Sequence, residues 1–482
     1  MIFTLNLLNI LKIFIAIAHQ IIFLRIFGAS LDTDVYLVVF SIIQLFNVIL
    51  VSTIIDIYVP FYSQLKNKNK IRADELVGSV IIFFILLLTV VCSALYLYPS
   101  LIVKIFTFGF ADNKSILASE ILKIWSFALF FNVMYNVINQ ILTANLYLKI
   151  HYKLSLVIPV INFIALVFTD TWGIKALVYS FLLGTLVNFV AITFYFFRRC
   201  SLKWKNPFLN SDLYDLLRQS LPFYIGKYIY HSETLIVSNL LSFFPTGHIT
   251  LFQYSQRLFK YISSVANSPT LSVLYAKASQ LVLQDNKEEI KKLLGITLKT
   301  NTLLFVLLVM GNIWIFKPLY TLVFGEKVSV EQLDVLYYLF IILIPYNIAW
   351  AIQLPFARIT FVLKKGENFL VISIKYIVVF SISLCLFLPF LGIYGLPLSM
   401  FVSQVFNANA YMKVVYEYLL TSKMLKYTNS IIYLCGYIVG QEILVYLDAP
   451  LYATTSFLVL CCLLMTHRIL EMCKYLLAKT IS

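Results

Sequence analysis

Charge is what this sequence has least of. Only 12% of its 482 residues are Asp, Glu, Lys or Arg, about half the share of an ordinary soluble domain. Acidic residues are the scarcer sign, 22 against 37 Lys and Arg. With 61% hydrophobic residues and a mean hydropathy of +0.90, so few charges cannot solvate the surface of a soluble protein. This excludes a soluble body on a single anchor and makes the chain an integral membrane protein. The apolar runs are long rather than short and alternating, which excludes a β-barrel. Seven scattered cysteines (92, 200, 385, 435, 461, 462 and 473) form no C-x-x-C, so neither a disulfide framework nor a zinc site is expected. No G-x-x-x-x-G-K-[ST] loop occurs, so ATP is not the direct energy source on this chain. Asp32-Thr33-Asp34 has the spacing of a metal-binding D-x-D, but no nucleotide-binding domain surrounds it. No loop is long enough for a folded soluble domain, as a membrane polymerase or ligase for glycans would need. The expectation is a protein that is not an enzyme, without metal or cofactor.

What is present is helix. Windows of about 20 apolar residues give fourteen candidate spans: 6–27, 33–57, 78–103, 117–147, 154–170, 174–197, 214–243, 250–276, 293–316, 334–362, 368–389, 393–419, 428–447 and 450–472. The first is expected to be a span rather than a cleaved signal, since no A-x-A-like site follows it. Pro269 and Pro355 fall inside spans and are expected to kink them. Lys and Arg counted by alternate loops divide twenty-five against seven. One side holds Lys66–Arg72, Arg198–Lys205 and Lys287–Lys292; the other holds little more than Lys104, Lys114, Lys123 and Lys175. That asymmetry is a topology signal rather than a nucleic-acid footprint, and it places both termini in the cytoplasm.

The chain repeats itself. SQLKNKNKIRADELVG (Ser63–Gly78) parallels SQLVLQDNKEEIKKLLG (Ser279–Gly295). Asn132 and Lys149 match Asn347 and Lys364, and GIKALVYSFLLGTLVN (Gly173–Asn188) parallels GIYGLPLSMFVSQVFN (Gly392–Asn407). Two six-helix lobes are therefore expected, 1–200 and 214–420, joined by a cytoplasmic linker, 201–213, with two additional helices and a tail over 421–482. An even number of spans per lobe inserts both the same way up. The pseudo-twofold axis then runs along the membrane normal, and a site between the lobes near mid-membrane is the rule for such repeats.

The stretch Ser220–Lys260 concentrates the membrane-depth charge: Lys227, His231, Glu233, Arg257 and Lys260. A cation facing lipid at mid-bilayer costs about 2.5–3.5 kcal/mol, so these groups are expected to face a hydrated interior. Gln253, Gln256, Arg257, Lys260, Ser264 and Asn267 recur on one helix face. Weaker polar stripes are Asn132, Asn136, Asn139, Gln140 and Thr143; Asp34, Ser41, Gln44 and Asn47; Ser399, Ser403, Gln404 and Asn407; and Asn9, Lys12, His19 and Gln20. A cationic cavity suits an anionic ligand, with arginine and lysine on phosphate and amides on a sugar head. The candidate substrate-binding residues are Arg257, Lys227, Lys260, His19, Arg25, Gln253, Asn136 and Asn139. Asp34, Glu233 and His231 are the candidates for a coupling proton or sodium ion.

RIFGASLDTDVYLVVFSII and IYVPFYSQL (Arg25–Ile43, Ile57–Leu65), SLPFYIGKYIYHSETLIVSNLLS with LFQYSQRLFK (Ser220–Ser242, Leu251–Lys260), and PLYTLVFG (Pro318–Gly325) together resemble the MviN/MurJ lipid II flippases. The likeness runs over most of residues 1–420. These belong to the multidrug/oligosaccharidyl-lipid/polysaccharide exporter superfamily, which also contains O-antigen flippases. The resemblance implies two six-helix lobes about a central cavity. It implies an undecaprenyl-diphosphate-linked glycan as partner in a bacterial inner membrane, with Arg257 and Asp34 standing at the family's helix-8 arginine and early aspartate. Where the family carries cavity arginines in its first two helices, this chain has His19 and Asn47. An O-antigen or capsular unit is therefore as good a substrate reading as lipid II. The competing functions are a cation-coupled multidrug exporter, which calls for an acidic cavity, and a scaffold for glycan-assembly enzymes, which gives buried charges no purpose.

Overall fold

A computed structural model describes residues 2–145, 147, 149–200, 203–301, 328–363 and 365–419. Residues Met1–Met412 form one compact unit; of the second, Lys413–Ser482, only the stretch to Leu419 is described. The described residues are almost wholly helical, with no strand among them. In order they form α1 (Ile2–Phe27), α2 (Leu31–Lys68), α3 (Lys70–Leu97), α4 (Pro99–Phe106), α5 (Asp112–Ala144), α6 (Lys149–Leu154), α7 (Val157–Ala165), α8 (Thr169–Trp172), α9 (Lys175–Arg199), α10 (Ser211–Leu241) and α11 (His248–Leu283). They continue with α12 (287–301), α13 (Val330–Val362), α14 (Gly366–Leu391) and α15 (Gly395–Leu419). Six described stretches are long and apolar enough to cross a membrane. The all-α membrane fold expected from composition is the one observed. The spans expected over 428–447 and 450–472 lie outside the described residues, as does most of 293–316.

Several expected windows are drawn differently. Pro99 lacks an amide hydrogen and sits at the first position of α4, so the window 78–103 splits at Tyr98. The window 154–170 becomes α7, a 3-10 turn and α8. The α2 helix runs on to Lys68, eleven residues beyond its apolar window. Pro345 and Pro355 both lie inside α13.

The repeat is visible in detail. Gly173 and Gly392 each end a helix at φ 55°, with ψ −143° and −134°. At both positions the left-handed backbone favours glycine. Asn188 and Asn407 are both buried, and among the described residues each leaves Oδ1 without a hydrogen-bond partner. The α2–α5 packing of the first half recurs as α11–α13 in the second, and α1–α7 recurs as α10–α14. Across the halves α2 packs on both α10 and α11.

At one end of the bundle, the linker end, the connection before α10 is strapped to α3. Arg72 donates to both carboxylate oxygens of Asp212, at 2.6 and 3.0 Å. Lys205 pairs with Glu75 at 2.7 Å, and Asn210 donates to Ser79 at 2.8 Å. Gly78 lets the linker approach: a Cβ there would stand 2.2 Å from the Lys203 carbonyl oxygen.

Candidate functional site

The opposite end, the turn end, is closed by a carboxylate. Gly28, at φ 62°, ends α1, and Ser30 with Thr33 forms a reciprocal capping box that starts α2. This turn sets Asp34 facing α11. Asp34 Oδ2 accepts from the Gly247 amide at 2.7 Å. Its Oδ1 accepts from the Thr250 amide at 3.0 Å and the Thr250 hydroxyl at 2.7 Å. Asp34 thus sits on the N-terminus of α11, where amides and helix dipole favour negative charge, and Lys114 of α5 stands 3.6 Å away. The Gly109 amide donates to Ser242 at 2.9 Å, and Asn239 donates to the Ile105 carbonyl at 3.0 Å, extending the seam. Gln253, one turn further along α11, donates to Ser41 at 3.0 Å and to the Leu37 carbonyl at 3.3 Å.

Deeper in the bundle the cations gather. The α11 helix buries Phe259 against Phe340 of α13, rings 4.6 Å apart. Arg257, Lys260 and Gln256, which donates to Met400 Sδ, follow one another round the adjoining helix surface. Arg257 places its guanidinium over Phe40 at 5.4 Å and Tyr254 at 5.5 Å. Such contacts contribute about 0.5–2 kcal/mol each, depending on desolvation. Arg257 lies within electrostatic reach of His19 on α1 and of Lys260. Lys260 in turn reaches His231 and Glu233 on α10, and His231 reaches Lys227. Lys227 stands over the Phe361 ring at 5.8 Å. The carboxylate among these cations, Glu233, is buried and accepts a hydrogen bond from the Tyr376 hydroxyl. Tyr230 packs at a tilt against Tyr376, ring centroids 4.7 Å apart. His19 borders this region, and its buried Nε2, like that of Gln20 beside it in α1, has no hydrogen-bond partner among the described residues.

The structure therefore brings together Arg257, Lys260, Lys227, His231, His19 and Glu233 from α1, α10 and α11. It sets others apart. Arg25 is exposed in the last turn of α1. Gln253 belongs to the seam. Asn136 donates to the Asn132 carbonyl at 2.9 Å and lies 3.4 Å from Asn47, and Asn139 is buried with Oδ1 unpartnered among the described residues. Asp34 is engaged at the turn end rather than beside the cations. The side chains of Ser264 and Asn267 lie outside the described residues. Sequence reasoning did not single out Phe40, Tyr254, Phe361 or Tyr376. Nothing marks these rings among 41 Phe and 32 Tyr, and Tyr376 lies 143 residues from Glu233. Among the described residues no cluster of His, Cys, Asp and Glu is arranged to hold a metal ion.

The family model of the lipid II flippase MurJ matches residues 23–476. The chain belongs to this family. It is a family of flippases, which are transporters and not enzymes, and the chain is a multi-pass membrane protein. A protein described as "Probable lipid II flippase MurJ" from Buchnera aphidicola subsp. Baizongia pistaciae is 23% identical over 333 residues, 67% of this chain and 64% of that one. The "Lipid II flippase MurJ" of Thermosipho africanus is 28% identical over 180 residues, 36% of each. The chain thus spans less than two thirds of the length of either curated relative. Among solved structures, a lipid II flippase MurJ in an inward closed conformation superposes with a TM-score of 0.77 at 17% identity, over 97% of this chain and 99% of that one. A MATE multidrug-resistance transporter in an inward-facing conformation superposes with a TM-score of 0.69 at 16% identity, over 85% and 96%. At these identities the superpositions establish a shared fold.

Proposed function

We propose that this chain moves a polyprenyl-diphosphate-linked saccharide from the inner to the outer leaflet of a bacterial inner membrane, by alternating access between its two halves. The carrying observation is the cation cluster. Lys260 lies about 18 Å along α11 from His248, near the middle of a hydrocarbon core about 30 Å thick, and is nevertheless exposed. Its neighbours are Arg257, His231 and buried Glu233. A lysine in that company faces water inside the bundle, since lipid exposure costs about 2.5–3.5 kcal/mol. Arg257 clamps the diphosphate, Lys260 and Lys227 add point charges, and His19 stands beside Arg257 at the edge of the head site. Two acidic candidates divide by role. Glu233, with His231, is placed to exchange a coupling ion beside the cations, whereas Asp34 holds the turn end shut. Family membership supports lipid II as the substrate, and the His19 and Asn47 positions admit other lipid-linked glycans.

Purified protein in liposomes, supplied with fluorescent lipid II or an undecaprenyl-diphosphate-linked O-antigen unit, is expected to flip at least one of them. Flipping is expected to collapse in Arg257→Ala. Transport of a fluorescent organic cation with no flipping of either lipid would reverse the assignment in favour of a drug exporter.

A further inference from the structure

Seven Lys and Arg fall on the side of the membrane that the chain otherwise keeps poor in cations, and two of them share one groove. Between the turn-end halves of α3, α5 and α9 lies a cavity of about 420 Å³, lined by Tyr96, Glu120, Lys123, Phe127, Lys175 and Tyr179 among others. It lies on the outer wall of the first half, away from the cluster around Arg257. Lys175 and Glu120 pair across it at 3.3 Å, each half exposed, and Lys123 projects one turn beyond Glu120 on α5. Among the described residues Lys123 makes no salt bridge, so the groove carries a net positive charge. Its rim is aromatic: Tyr96 meets Phe127 edge-on at 5.6 Å, and Trp172 meets Tyr179 edge-on at 6.0 Å. Rings of this kind sit at headgroup depth.

Below the groove α9 exposes Tyr179, Leu183, Val187, Val190 and Phe194. These are spaced at four, four, three and four residues, so they form one stripe about 22 Å long. That is the length of an extended phospholipid acyl chain. Topology does not explain lysines here, because the positive-inside bias disfavours them. Burial does not either, because both side chains are exposed, and the half-exposed pair with Glu120 engages Lys175 alone.

We infer that this groove is a binding site for an anionic phospholipid. Its phosphate rests between Lys123 and Lys175, its glycerol lies against the aromatic rim, and one acyl chain runs along the α9 stripe. Phosphatidylglycerol-type headgroups fit this chemistry. Zwitterionic headgroups bring their own cation against the lysines and fit poorly. Glu120 competes with the phosphate for Lys175 and so limits affinity. The site rests on the proposed function only for its leaflet, since its chemistry is independent of the flipped substrate.

The test is native mass spectrometry of the full chain in detergent, titrated with phosphatidylglycerol or phosphatidylcholine, in wild type, the double variant Lys123→Ala/Lys175→Ala, and Glu120→Gln. Wild type is expected to retain phosphatidylglycerol at least fivefold better than phosphatidylcholine. The double variant is expected to lose that preference, and Glu120→Gln to increase it. The last outcome separates a ligand site from a structural salt bridge, which the same change would only weaken. Equal retention of both lipids, an unchanged preference in the double variant, or a preference lowered by Glu120→Gln would overturn the assignment. So would protection by inorganic phosphate alone, or retention of undecaprenyl diphosphate but not phosphatidylglycerol. None of these readouts depends on flipping, so failure of the flippase reading would leave them standing.

Discussion

At the residue scale, the site depends on how each cation is held. Arg257 rests between Phe40 and Tyr254, a geometry that uses the flat face of a guanidinium and leaves its edge for a phosphate fork. Arg257→Lys keeps the charge and loses the fork. It is expected to retain measurable flipping, while Arg257→Ala loses binding by about ten- to a hundredfold, the scale of one charge-assisted hydrogen bond. Titration of a fluorescent undecaprenyl diphosphate against both variants distinguishes them. A different outcome is expected for Asp34→Asn. The amide oxygen can accept at only one of the two carboxylate positions, so its NH2 is turned toward either the Gly247 amide or the Thr250 donors, and the remaining bonds lose the charge that strengthened them. Substrate affinity is expected to hold, whereas the turn end opens more often. Spin labels on the α1–α2 and α10–α11 turns would report this as a larger long-distance population. Sequence alone singled out Asp34 and Arg257 because charge within or beside an apolar span is rare. It could not separate a seam residue from a cavity residue, since both lie on polar stripes of similar spacing.

At the element scale, two glycines fix how closely segments meet. Gly247 sits at φ 96°, with a would-be Cβ 2.8 Å from the Ala29 carbonyl oxygen. Gly247→Ala combines backbone strain with a clash across the seam. It is expected to lower the thermal unfolding midpoint by several degrees, measured in detergent by fluorescence scanning. Gly78 faces the strapped linker, where a methyl group would stand 2.2 Å from the Lys203 carbonyl oxygen. Gly78→Ala is expected to lift residues 203–210 off α3 and to speed tryptic cleavage after Lys203 and Lys205. Equal cleavage rates would show that the strap is not held there. The helices themselves were legible from apolar windows of the right length. Their breaks at Pro99 and within 154–170 were not, because windowed hydropathy averages over a one-residue interruption. The extension of α2 to Lys68 escaped for a related reason: in its last three turns Pro60 and the polar run from Ser63 to Lys68 lower the windowed hydropathy, although Tyr58 and Tyr62 are buried.

At the scale of the whole molecule, the proposed sidedness makes a prediction of its own. In a variant without native cysteines, a cysteine at Lys66 or Lys203 is expected to react with a membrane-impermeant maleimide only after the cells are opened. One at Asp112 or Trp172 is expected to react in intact cells. The reverse pattern would invert the proposed direction of transport. The amino-acid sequence by itself determined that this chain lives in a membrane as helices, and that it is written twice. Both follow from local quantities, the run length of apolar residues and the recurrence of loop and glycine motifs at a near-constant offset. Only the tertiary structure decided which polar groups meet. Glu233 and Tyr376, Asp34 and Thr250, Arg257 and Phe40 are each joined across more than a hundred residues. Their partnership is set by how the helices cross, which no spacing along one helix encodes.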